Sequence, residues 1–190
     1  QTNDIAVFMK GSQLKVVQSF RYLGVQIDGC LNFREHLRNV MRVAGGKMGC
    51  IRRLCGASWD AKSKEVKGLF QSLILSVLYY AAGAWLPYLA QGDIQKVNQL
   101  LAEGAKYILR VPKRANGMEA IAEAGLLTAE SMARCLSGQL CVKIAARPAE
   151  DPLVQVISGR GNPTWHKCGV DICKRAGVDL RCVVPEYVAA

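Results

Sequence analysis

The stretch SFRYLGVQIDGCLNFREHLRNVMRVAGGKMGCIRRLCG, Ser19 to Gly56, changes its period in the middle. It begins inside a longer run, LKVVQSFRYLGVQI (Leu14 to Ile27), whose β-branched and aromatic residues predict extended backbone. Gly24 within that run marks a bulge or a close backbone approach, and Asp28-Gly29 ends it as a turn. From Asn32 the apolar residues fall at Leu37, Val40, Met41, Ala44, Met48, Ile51 and Leu54, which is helical spacing. Asn32 is the expected N-cap, with Glu35 at the third helical position. Arg34, Arg38 and Arg42 repeat every four residues on another face, and Lys47, Arg52 and Arg53 follow. Gly45-Gly46 interrupts the pattern at about 1 kcal/mol per glycine relative to Ala, which predicts a bend or a close approach there.

On the N-terminal side, IAVF (Ile5 to Phe8) reads as a strand turned by Lys10-Gly11-Ser12. On the C-terminal side, a helix is expected from near Ser58 or Asp60 to about Ala84, stopped by Pro87. A third helix runs from about Asp93 to Arg110, and the basic turn VPKRANG, with Lys113 and Arg114, follows it. The short helix MEAIAEA ends at Gly125. Thr128 caps a fifth helix to Arg147, with Met132, Leu136, Leu140 and Ile144 inward. Beyond Ser158 the pattern loosens into a possible helix over His166–Ala176 and a strand over Arg181–Val184. The fold class is therefore mainly α with a small β piece at the N-terminus. The expected divisions are residues 1–30 (β-hairpin), 31–158 (about five helices) and 159–190 (a poorly defined tail).

The 190 residues carry 25 Lys+Arg against 15 Asp+Glu, a formal net charge of +10. Such an excess favours a polyanionic partner. The eight cysteines sit mostly in apolar, helix-like stretches, where a thiol acts as a small hydrophobe. That usage predicts a reducing compartment, nuclear or cytoplasmic, rather than secretion. No charge occurs between Lys67 and Asp93, a length that could span a bilayer. Gln71, Ser72, Ser76, Gly83 and Pro87 dilute its hydrophobicity, so a buried core helix and no membrane partner are expected. The opening QTNDIAVFMKGSQ has neither an initiator Met nor a signal pattern and reads as part of a longer protein.

Catalytic signatures are missing: no GxxxxGK[ST], no GxGxxG, no GxSxG and no acidic pair on a strand end. Asp4 and Asp28 read as turn and capping residues, and His36, in the first turn of a basic helix, as a solvated or phosphate-facing imidazole. His166, Cys168, Cys173 and Cys182 are metal-ligand types, yet their spacing lacks paired CxxC knuckles, so they read as structural thiols and no metal site is expected. The arginine stripe is more specific than the raw charge. Guanidinium groups at i, i+4 and i+8 lie about 6 Å apart along a helix, close to the step between successive phosphates, and each can fork a phosphate. Contacts of that kind are independent of base sequence and sensitive to salt.

Four segments in order carry a resemblance. QTNDIAVF, SFRYLGVQID, LFQSLILSVLYYAAGAW and AKYILRVPKRANGMEAIAEAGLL resemble the C-terminal part of non-LTR (LINE-type) retrotransposon reverse transcriptases, over roughly residues 1–158. The second is similar to the family's F-K-Y-L-G-V-x-x-D signature at the junction of palm and thumb. In the third, Tyr80 and Trp85 match a thumb helix ending Tyr-(Gly/Ala)-x-x-x-Trp. Arg110 stands where the fourth pattern usually has Gly, and Gln1 where the family often has Lys. The resemblance implies a palm end, thumb and connector that bind an RNA template and a DNA primer. Tyr22, Leu23 and Gly24 would form a primer-grip-like turn. Arg34, Arg38, Arg42, Lys47, Arg52, Arg53, Lys113 and Arg114 would contact nucleic acid. The family's catalytic carboxylates would precede Gln1, in palm and fingers of the same polypeptide. This stretch would thus have no catalytic residue and no cofactor of its own, whereas the parent RNA-directed DNA polymerase would use Mg2+. The alternative is a non-catalytic helical interaction module of retroelement origin.

Overall fold

The computed structural model describes residues 7–55, 62–148, 150–152, 154–155 and 164–177. Two hairpins open the chain, and helices form the rest of what is described. Strands β1 (Phe8–Met9) and β2 (Ser12–Gln13) pair antiparallel, as do β3 (Ser19–Tyr22) and β4 (Val25–Asp28). The Leu14–Ile27 run is therefore not one strand. It folds back at Leu23-Gly24, pairing Tyr22 with Val25 and Ser19 with Asp28. Both hairpins turn on two residues with positive φ, Lys10-Gly11 and Leu23-Gly24, the mirror-image turn that matches strand twist.

Asp28 organises the passage from β4 into helix α1 (Arg34–Leu54). Its carboxylate accepts from the backbone N–H groups of Cys30 (3.0 Å), Asn32 (3.3 Å) and Phe33 (2.9 Å). Wrapping three amides around one side chain takes Leu31 and Phe33 into the left-handed region, at φ 51 and 54. The N-cap position is consequently Phe33 rather than Asn32, and Asn32 Oδ1 instead accepts from the Arg34 N–H at 3.1 Å. Helix α1 passes unbroken through Gly45-Gly46, and a Cβ on either glycine would meet nothing. The close approach of another backbone expected there is absent among the described residues.

The second helical stretch starts at α2 (Ser63–Phe70), where Glu65 Oε2 accepts from the Lys62 N–H. Ser58 and Asp60 lie outside the described residues. The stretch widens into a π-helical turn (Gln71–Leu75), resumes as α3 (Ser76–Leu78) and breaks, so it does not run on to Ala84. Ala81, at φ 49, redirects the chain into α4 (Ala82–Trp85) and a 3-10 turn (Leu86–Tyr88). Val66, Phe70, Ile74, Leu78, Trp85 and Leu86 from this stretch are buried, which accounts for its uncharged sequence. Among the described residues no single helix is long and apolar enough to cross a membrane; only the bent pair Ser63–Leu78 and Ala82–Tyr88 passes on length and composition together.

Helix α5 (Gln91–Leu109) buries Val97, Leu101, Ala105 and Ile108 against α1 and α2. Gly104 is required there because the Phe70 ring occupies the space a Cβ would need. Arg110 ends α5 in the left-handed region (φ 56), with its N–H donating to Tyr107 O and that of Val111 to Lys106 O. Gly125 closes α6 (Gly117–Glu123) with the same bond pattern and φ 63. Both ends are the same left-handed helix stop, one built on glycine and one on arginine.

Thr128 caps α7 (Ala129–Ala145), as expected. The buried face of α7 is nevertheless small: Ala129, Ala133, Ser137, Gly138 and Cys141, with Ile144, while Leu140 is exposed. The reason is α8 (Thr164–Arg175), which packs so closely that a Cβ on Gly138 or Gly169 would collide across the interface. Cys173 is buried in that contact. Cys182 and the side chains of His166 and Cys168 lie outside the described residues, as does the Arg181–Val184 strand. Among the described residues no group of three or more His, Cys, Asp or Glu is placed to hold a metal.

Candidate nucleic-acid interface

The Tyr22-Leu23-Gly24 segment is the tip of the β3–β4 hairpin. The tip does not hang free. The Tyr80 hydroxyl donates to the Leu23 carbonyl at 2.9 Å. Its ring also lies over Gly24, so that a Cβ there would approach a ring carbon to 3.1 Å. Gly24 is thus demanded twice, by its φ of 86 and by Tyr80. Tyr80 can reach the hairpin because the helix breaks beside it at Ala81, and the Trp85 indole N–H donates to the Tyr80 carbonyl that the break exposes (3.1 Å).

His36 is a correction to the sequence reading. It is buried, 5% exposed, with its ring edge-to-face against Trp85 at 5.0 Å between centroids. The Gln26 backbone N–H donates to His36 Nδ1 at 3.3 Å, which places the ring proton on Nε2. Burial, then the neighbouring Arg21 guanidinium, push the His36 pKa below its ordinary 6.5. The imidazole is therefore neutral near pH 7 and joins the hairpin to α1 rather than facing a phosphate.

The arginine stripe divides between two sides of α1. On the α5 side, a groove of about 750 Å³ is lined by Arg34, Arg38, Lys96, Asp93 and Glu103 over Leu37, Met41 and Leu100. Acids from α5 compensate Arg34, Lys96 and Arg52 here, but not Arg38. Arg34 Nε lies 3.9 Å from Asp93 Oδ2, Lys96 pairs with the same carboxylate, and Arg52 Nε donates to Glu103 Oε1 at 2.9 Å. On the hairpin side, a cavity of about 510 Å³ is lined by Arg21, Gln26, Asn39, Arg42 and Ser76, with Val40, Val43, Val77 and Tyr80. No acidic side chain among the described residues lines it.

The other basic residues singled out from the sequence are dispersed. Lys47 is half-buried on α1, and an Arg53 guanidinium nitrogen lies 3.3 Å from Cys50 Sγ. Lys113 and Arg114 are exposed in the turn after α5, which Lys106 Nζ braces by donating to the Lys113 carbonyl at 2.7 Å. Arg21, Asn39 and the Tyr80 contact were not foreseen. Arg21 had a signal: it alternates with Phe20 and Tyr22 along β3, so it must face away from that exposed aromatic pair.

No family model matches the chain, and no solved structure does. Two curated proteins are similar to part of it. Both are described as "Retrovirus-related Pol polyprotein from type-1 retrotransposable element R1". The one from Nasonia vitripennis is 28% identical over 74 residues, 39% of this chain and 22% of the relative. The one from Bradysia coprophila is 25% identical over 77 residues, 40% of this chain and 8% of the relative. The matches therefore span less than a quarter of either relative's length. The chain is thus related, distantly and over part of its length, to retrotransposon Pol polyproteins of the R1 type.

Proposed function

We propose that the chain is the primer–template-binding portion of a non-LTR retrotransposon reverse transcriptase, covering the end of the palm, the thumb and the connector. The observation that carries this reading is the β3–β4 tip latched by Tyr80 beside the side of α1 lined by Arg21 and Arg42, with no acid lining it among the described residues, in a chain similar to R1 Pol polyproteins. The hairpin would position a primer end, and Arg42 on that side, with Arg38 on the α5 side, would hold backbone phosphates of an RNA–DNA hybrid without reading bases. Polymerisation, and the Mg2+ it needs, would belong to the carboxylates of the parent polypeptide's palm.

A second reading, a helical interaction module of retroelement origin, is favoured by the Arg34–Asp93 and Arg52–Glu103 ion pairs, which satisfy part of the basic face internally. Fluorescence anisotropy with a labelled RNA–DNA hybrid decides between them. Under the first reading the wild type binds and Arg34→Gln/Arg38→Gln/Arg42→Gln binds markedly less. Equal retention by both proteins gives the second.

A further inference from the structure

The cavities on the two sides of α1 differ in a way that neither net charge nor the stripe conveys. In the α5-side groove Asp93 pairs with Arg34 and Lys96, and Glu103 is taken by Arg52 beside it. The hairpin-side cavity gathers Arg21 from β3 and Arg42 from α1 with no acid among its described lining residues. Two arginines from different elements lining one cavity leave positive potential that an anion would neutralise. Beside the polar Gln26, His36, Asn39 and Ser76, the wall carries an apolar part: Val40, Val43, Val77 and the Tyr80 ring. Such a surface suits the face of a base, which stacks on an aromatic or apolar wall whatever its sequence. The volume, about 510 Å³, lies within the range of small-molecule sites and is a recess rather than a track for a continuous duplex. Tyr80 is itself fixed by its bonds to Leu23 and Trp85, so the wall is in place before anything binds.

We propose that this cavity receives a single unpaired nucleotide of a bound strand, with its phosphate between Arg21 and Arg42 and its base against Val43, Val77 and Tyr80. The proposal rests on the nucleic-acid reading above and adds to it a preference for an unpaired nucleotide at this one place. It is tested with three labelled RNA–DNA hybrids: fully paired, carrying a one-nucleotide 2-aminopurine overhang, and carrying an abasic overhang with the same phosphate. The wild type should bind the 2-aminopurine hybrid about tenfold more tightly than the abasic one, the scale of one base stacked on an aromatic wall, and the probe's emission should change on binding. Val43→Trp, which fills the cavity from an exposed helical position, should abolish that preference. Arg21→Gln, at an exposed strand position, should weaken binding of both overhang hybrids relative to the paired one. Equal affinity of the wild type for the 2-aminopurine and abasic hybrids overturns the proposal while leaving duplex binding intact, as does a preference that survives in Val43→Trp. Failure of the wild type to bind any of the three would overturn the broader reading as well.

Discussion

The sharpest consequence of the split stripe concerns salt. Each phosphate neutralised on a DNA duplex contributes about 0.9 to the slope of log affinity against log salt. Arg34 already lies near the Asp93 carboxylate, which Lys96 also holds. Arg38 and Arg42 have no acidic partner among the described residues. Arg34→Gln should therefore change the slope by much less than one. Arg38→Gln/Arg42→Gln should flatten it by roughly two units, taking two contacts at the duplex value. Between 50 and 200 mM salt, a fourfold change, two units of slope amount to roughly a tenfold difference in how far affinity falls. Anisotropy titrations of an RNA–DNA hybrid at four or five salt concentrations, with all three proteins at matched pH, measure these slopes. If Arg34→Gln flattens the slope as much as the double substitution, the α5 acids do not compensate the stripe as argued. If no variant differs from wild type, α1 does not contact the backbone at all.

Other expectations concern the frame that holds the interface. His36 has a depressed folded-state pKa, so the unfolded chain binds the extra proton first. The stability His36 contributes is complete above its ordinary value of 6.5 and is lost as pH falls below it towards the folded pKa. Urea unfolding across that range should show this fall, and His36→Asn should remove it; an unchanged pH profile in the variant would place the dependence elsewhere. Gly104→Ala should destabilise the chain by about 1–2 kcal/mol, because overpacking against Phe70 (about 1–3 kcal/mol) outweighs the helix propensity gained (up to about 1 kcal/mol). Phe70→Leu in the same chain should shrink the penalty of the glycine substitution, and a strictly additive double variant would contradict the contact. Arg110→Gly relieves a left-handed residue costing about 1–2 kcal/mol, partly offset by the freer unfolded chain, so thermal denaturation should shift upward by a few degrees. A downward shift would mean that the Arg110 side chain contributes more than its backbone costs.

The helices were legible because each turns one apolar face inward, and periodicity records that directly. The α1 positions Leu37, Val40, Ala44, Met48 and Ile51 are buried as their spacing predicts, and Thr128 caps α7 because its hydroxyl serves an amide three residues on, at Ser131. Asp28 also serves as the capping and turn residue it was read to be. Local pattern failed wherever a distant segment set the outcome. Leu140 matches the inward spacing of α7 yet is exposed, because α8 comes close enough to admit only small residues. The Leu14–Ile27 run has uniform strand composition, and only the paired φ values at Leu23 and Gly24 fold it back.

The sequence alone determined which segments are helical, which faces are apolar and that positive charge collects on α1, since these depend on residues within a few turns of one another. The tertiary structure decided what that charge can do. Arg52 meets Glu103 across 51 residues, Tyr80 reaches Leu23 across 57, and His36 enters the core beside Trp85. A period of 3.6 residues can say that a side chain points away from its own helix's apolar face. It cannot say whether an acid, an aromatic ring or open water stands opposite, because that depends on chain segments folded in from elsewhere.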